Sequence, residues 1–215
     1  MIGLDTVVVA ALISSLFGPI LVNIVETEID YWKAIKAKRS TSTTIVIDPL
    51  EDAINNSEVV NNYLSNINKD FEFDRAWVSM FHNGGHYYPT GKSIQKFSIF
   101  YEVAKPGIAP IQLQFKNTPV SLLSTAIGEV YKKGRLLVDI EDLDIFGLES
   151  AMISTGTKSA FLFALKNLEN KFFGVVGFDV VNESRKLTDE ELEILQAQVN
   201  TLSGYIFEYL HSKGK

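Results

Sequence analysis

The chain contains no cysteine. That excludes disulfides, thiolate metal sites and a cysteine nucleophile together. Histidine is scarce: His82, His86 and His211 are the only three, too few for a histidine-rich metal cluster. Basic residues are outnumbered 20 to 26, for a formal charge of −6. Nucleic acid is therefore not expected as a partner, because phosphate binding needs a basic face. The sequence holds no G-x-S-x-G, no H-E-x-x-H and no acid/base pair at telling spacing, so no enzyme is expected. What the chain does have is apolar mass. Of its 215 residues, 46% are hydrophobic, 14 of them Phe. Bulk disorder is excluded, and the length fits one or two domains.

Residues 6–25, TVVVAALISSLFGPILVNIV, carry no charge. Twenty helical residues span roughly 30 Å, the thickness of a bilayer core. The start, MIGLD, has no Lys or Arg and does not resemble a secretory signal. The segment is read as a membrane anchor; a helix buried in a protein core or a virion is the alternative. Ala10, Ser14 and Gly18 recur every fourth residue, the small-residue stripe through which membrane helices approach closely. Lys33, Lys36, Lys38 and Arg39 follow the span and no basic residue precedes it. The positive-inside rule then gives a single-pass protein with its C-terminal part in the cytoplasm. The expected organisation is an anchor with a basic juxtamembrane end at 1–39, a linker at 40–48 that includes STSTT, and one globular domain at 49–215.

Within that domain Asp48-Pro49 opens a helix, with an Asp cap and Pro at the first helical position. DRAWVSMFHN reads as a strand broken by NGG at 83–85. KSIQKFSIFYEVA reads as a second strand by its alternation, with Lys96, Ser98 and Glu102 on one face and Phe97, Ile99 and Tyr101 on the other. IQLQF reads as a short third strand. Thr118-Pro119 is expected to cap a helix that Gly134 ends. RLLVDIEDL reads as a short strand leading into a loop, and ESAMIS as a helical turn. KSAFLFALKN and KFFGVVGFDVV form a hairpin. Thr188 and Glu191 make a capping box, stapled by Leu187 and Leu192. The order of elements is that of an α+β fold, an antiparallel sheet with segregated helices.

The stretch from Lys158 to Tyr209, with its G-V-x-G strand and its LTDEELEIL helix opening, resembles GAF domains. The order of elements extends the likeness to residues 49–209. The resemblance implies a six-stranded antiparallel GAF/PAS-like sheet with helices, and a cleft that serves small-molecule binding or dimerisation. No N-K-F-D-E signature is present, and no cysteine is available for a bilin linkage. The sequence thus departs from the branches that take those two ligands. A single span followed by such a domain is also similar to membrane proteins of tailed phages, holins among them.

FHNGGHYYPTGKS, residues 81–93, is the least ordinary stretch. Two glycines after Asn83 permit positive φ and exposed amides, a candidate anion nest. It is not a Walker loop, since position 86 is His where a glycine is required. A tight aromatic-packed turn is the plainer alternative. The candidate ligand-binding residues are His82, Asn83, Gly84, Gly85, Tyr87, Lys96, Tyr101 and Glu102. The histidine pair has glycines between its members, so no metal site is expected. The sequence names no cofactor. It supports a membrane-anchored, non-catalytic sensor of a small molecule or a protein, working as a homo-oligomer. A phage lysis protein or virion component is the alternative.

Overall fold

The structure is a computed structural model that describes residues 48–211, except Tyr88, Phe146 and the side chain of His211. The expected anchor, its Ala10, Ser14 and Gly18 stripe and nearly all of the linker lie outside the described residues. None of the described helices is long and apolar enough to cross a membrane.

Helix α1, Pro49–Asp70, begins as expected: the Asp48 side chain accepts from the Leu50 N–H. Strands β1 (Arg75–His86) and β2 (Ser93–Ala104) follow, then the two-residue β3 (Thr118–Pro119). A 3-10 turn leads into α2, Ser124–Lys133, which ends at Gly134. Next come β4 (Arg135–Asp139), α3 (Leu148–Thr155), β5 (Ser159–Lys166), β6 (Phe172–Val180) and α4 (Asp189–His211). The strands form one antiparallel six-stranded sheet in the order β3-β2-β1-β6-β5-β4.

Both faces of the sheet are covered. On one, α1 and α4 bury Val60, Leu64, Leu195, Val199 and Leu202 against Ala76, Val78, Phe161, Phe163, Val176 and Phe178. The phenylalanines interlock, with Phe178 5.1 Å from Phe73 and 6.1 Å from Phe163 between ring centroids. On the other face α2 and α3 place Ala126, Val130, Leu148 and Met152 over Ala160, Leu162, Ala164 and Val175. The two sets alternate along each strand, as a pleated sheet requires. The capping box of α4 is complete. The Thr188 N–H donates to Glu191 Oε2, and the Glu191 N–H donates to Thr188 Oγ1.

Three local expectations are corrected. NGG does not end β1, which runs on to His86 through a bulge. Asn83 Oδ1 accepts from the Gly85 N–H and the Ser93 hydroxyl, and Gly85 takes φ +105°. The polar side chain and the permissive glycine keep the ladder going where the residue types suggested a break. IQLQF is not a strand. The Gln114 and Phe115 N–H groups both turn back to the Ile111 carbonyl, so Ile111 and Phe115 share one side while Leu113 stands 87% exposed. Apolar residues at alternate positions suggested extension, but one helical turn also aligns positions four apart. Thr118-Pro119 does not cap α2. It pairs with Lys96 and Phe97 as β3, and the helix is entered through the 3-10 turn without a side-chain cap.

Candidate functional site

Between the sheet and the α2/α3 layer lies a cavity lined by side chains from β1, β2, β5, β6, α2, α3 and the 105–117 loop. Its walls are mostly apolar, with Phe81, Phe97, Ile111, Phe115, Ile127 and Met152 prominent. Small residues make the room: Ala126, Ala151 and Ala160 face it where longer side chains would close it. Gly177 has a different task. A Cβ there would fall 2.2 Å from the Trp77 ring, so the missing side chain is what lets the indole lie against β6 as a wall. The space open to the centre of a water-sized sphere is about 70 Å³. That is about half of a roughly 150 Å³ engineered cavity that takes up benzene.

Among the described residues one ionisable side chain, Asp179, lines this cavity. It stands at the edge of a buried charge cluster. Arg75 is 0% exposed and donates through Nε to Asp179 Oδ2 at 2.8 Å, through Nη1 to the Ala109 carbonyl and through Nη2 to Thr157 Oγ1. Nη2 also lies 2.8 Å from Asp179 Oδ2. Trp77 Nε1 donates to that same oxygen at 3.2 Å. Glu102 approaches Arg75 at 4.0 Å and accepts the Ile111 and Gln112 N–H groups, each at 2.7 Å. Two carboxylates thus share one guanidinium. Full burial pushes the Asp179 carboxyl above the ordinary carboxylate range and Glu102 adds to this; Arg75 and the indole N–H pull the other way without offsetting it. From Thr157 the chain of hydroxyls continues to Thr155 at 2.8 Å, and Thr155 donates to the carbonyls of Ala151 and Met152 in α3.

Glu102 reaches this cluster through an irregularity. Val78 pairs with Tyr101 but Ser79 pairs with Ile99, which leaves Phe100 without a partner. That bulge reverses the alternation of β2. Phe97 and Ile99 before it and Glu102 after it therefore share the cavity face. Lys96 and Glu102, expected on one face, lie on opposite ones.

The other candidates fall elsewhere. Asn83, Gly84, Gly85 and Tyr87 form the far end of the β1–β2 hairpin, with the Gly85 amide held by Asn83 and the Lys96 stem packed over Gly84. His82 Nε2 meets Ser98 Oγ at 2.9 Å, and that oxygen accepts the Asn117 N–H. Tyr101 sits on the α1 side, where its hydroxyl accepts from Asn56 Nδ2 at 2.7 Å. Burial raises that hydroxyl's pKa. Of the eight, Glu102 alone belongs to the charge cluster, and none lines the cavity. Arg75, Trp77 and Asp179 carry the cluster and are not among the candidates expected from the sequence. The available signal was an Arg and an Asp inside otherwise apolar strand patterns, DRAWVSM and GVVGFDVV. Among the described residues, no group of three or more His, Asp or Glu could hold a metal ion.

No protein-family model matches the chain, and no curated protein matches it. Solved structures do. The chain is similar to the phycocyanobilin-bound GAF domain of a cyanobacterial phytochrome, with TM-score 0.57 and 18% identity over 73% of this chain and 88% of that one. It is similar to the GAF domain of PixJ from Thermosynechococcus elongatus in its blue-light-absorbing form, with TM-score 0.58 and 13% identity over 75% and 90%. A GAF domain/HD domain protein from Geobacter sulfurreducens gives TM-score 0.55 and 12% identity over 74% and 96%. The chain therefore has the GAF fold, as the 158–209 stretch suggested.

Proposed function

We propose that residues 49–211 form a regulatory module that binds a small molecule in the cavity under α2 and α3 and performs no chemistry on it. The observation that carries this reading is the cavity itself. It is a mostly apolar recess with a few convergent polar groups, which is the usual make-up of a ligand site. The solved relatives with this fold include domains described as holding bilins. A thioether-linked bilin does not suit this chain, which offers no cysteine. A free one does not suit a void of about 70 Å³. The ligand is small. Its signal has a physical route, because Arg75 and Glu102 tie the cavity wall to the 109–112 backbone and, through Thr157 and Thr155, to α3.

We further propose that the uncharged segment at 6–25 anchors the module to a membrane with the domain in the cytoplasm. The support is its length and the four basic residues that follow it. The test of the module is thermal unfolding of the full chain in mild detergent against a library of small metabolites. A ligand at about a hundred times its Kd raises stability by about 2.7 kcal/mol, a readily measured rise in Tm. A flat response across the library overturns the reading. A reporter fused after Lys215 tests the anchor: a periplasmic signal defeats the proposed orientation, and recovery of the full chain without detergent defeats the anchor.

A further inference from the structure

The cavity's polar edge is unevenly used. Asp179 is 3% exposed and lines the cavity. The hydrogen bonds it receives from Arg75 Nε and Trp77 Nε1 both fall on Oδ2, and Arg75 Nη2 approaches that same oxygen. Among the described residues none reaches Oδ1. That oxygen is not one of the polar atoms sealed in without a partner, and the residue lines the cavity. The charge around it is unbalanced. Arg75 is set between Asp179 and Glu102, its three nitrogens are all engaged, and no Lys, Arg or His among the described residues lines the cavity. A buried carboxylate oxygen in this setting accepts well from a charged donor. An entering carboxylate or phosphate would meet a net negative wall and no free donor of opposite charge.

We propose that the cavity takes a compact organic cation, a protonated amine or amidinium on a short hydrocarbon body, with one N–H on Asp179 Oδ1 and the body against Phe81, Phe97, Ile111 and Met152. The inference rests on the reading of the domain as a ligand-binding module and adds the ligand's charge and size. The upward displacement of the Asp179 pKa agrees with it, since an anion with too little compensation is what a cationic guest would relieve. The small void sets the size: the body is no larger than a branched aliphatic group, unless the 105–117 loop or α3 moves.

The experiment uses the full chain in detergent with Trp32→Phe, which leaves Trp77, in the cavity wall, as the one tryptophan. Three probes of matched shape are titrated: isobutylammonium, isobutyl alcohol and isobutyrate. The ammonium ion is expected to shift Trp77 emission saturably, about tenfold or more tighter than the alcohol, and isobutyrate to leave it unmoved. Asp179→Asn should bring the ammonium ion down to the level of the alcohol. Ala151→Leu, which fills the cavity without touching the charge cluster, should abolish the response, and it decides the location should Asp179→Asn fail to fold. If the alcohol or isobutyrate binds as well as the ammonium ion, the cation preference is overturned while ligand binding stands. If no probe responds, the inference is overturned as well, and the metabolite screen alone then decides whether the module binds anything.

Discussion

The two faces of the sheet are made from the same strands and are built to opposite ends. Toward α1 and α4 the strands present Phe161, Phe163, Val176 and Phe178, all buried, with the three phenylalanine rings linked directly or through Phe73. Toward α2 and α3 the same strands present Ala160, Ala164, Gly177 and an ion pair. Large side chains fill one layer; small ones leave a void in the other, and a buried charge cluster sits beside it. Close packing is worth several kcal/mol per large side chain, whereas a buried ion pair is weak evidence for stability. The first face holds the fold together and the second is available for a guest.

That comparison breaks if the two faces respond alike to substitution. Phe178→Ala should cost about 3–5 kcal/mol in chemical unfolding and leave any ligand response intact at a permissive temperature. Arg75→Met should cost a similar amount, about 3–5 kcal/mol, because it strands two buried carboxylates, and should remove the ligand response as well. The sharper contrast is between two alanines. Ala76→Leu adds volume to the filled layer and should cost about 1–3 kcal/mol, while Ala151→Leu enters the void and should stay within about 0.5 kcal/mol of the parent. Gly177→Ala should cost about 1–3 kcal/mol and shift Trp77 emission, since its Cβ must displace the indole.

The smallest effects concern acid. The Glu141 N–H holds Asp139 below the usual carboxylate range, and the Thr188 N–H does the same for Glu191. Their contributions are present above the unfolded carboxylate pKa and are lost as pH falls through the folded values. Asp179, raised by burial, has the opposite sign: its contribution is present at low pH and lost as pH rises through its folded pKa. Stability should therefore peak in the mildly acidic range. Asp139→Asn and Glu191→Gln should flatten the acid limb, and Asp179→Asn the neutral one, as read from unfolding midpoints against pH.

Much of the architecture was legible because its signals are local. Asp48-Pro49, Gly134, the hairpin at 167–171 and the Thr188–Glu191 box each specify a turn or a cap through neighbouring residues, and each formed. The misreadings share a cause. NGG, IQLQF and Thr118-Pro119 have residue types that fit two local structures, and contacts from distant segments chose between them. The candidate site was less legible still. Its key pair, Arg75 and Asp179, lies 104 positions apart in the chain, and no periodicity links residues at that separation.

By itself the sequence determined what β5 and β6 offer at each parity: Phe161, Phe163, Val176 and Phe178 at one, and Ala160, Leu162, Ala164, Val175 and Gly177 at the other. It also determined where α1 and α4 begin and where α2 ends, because capping is a matter of four or five adjacent residues. Only the tertiary structure decided that a bulge at Phe100 turns Glu102 toward Arg75. Only it decided that Trp77 rests on Gly177 and that Arg75 and Trp77 meet Asp179 on one oxygen. A void and a shared charge are properties of several strands brought side by side, and strand register is settled by packing across the sheet rather than along the chain.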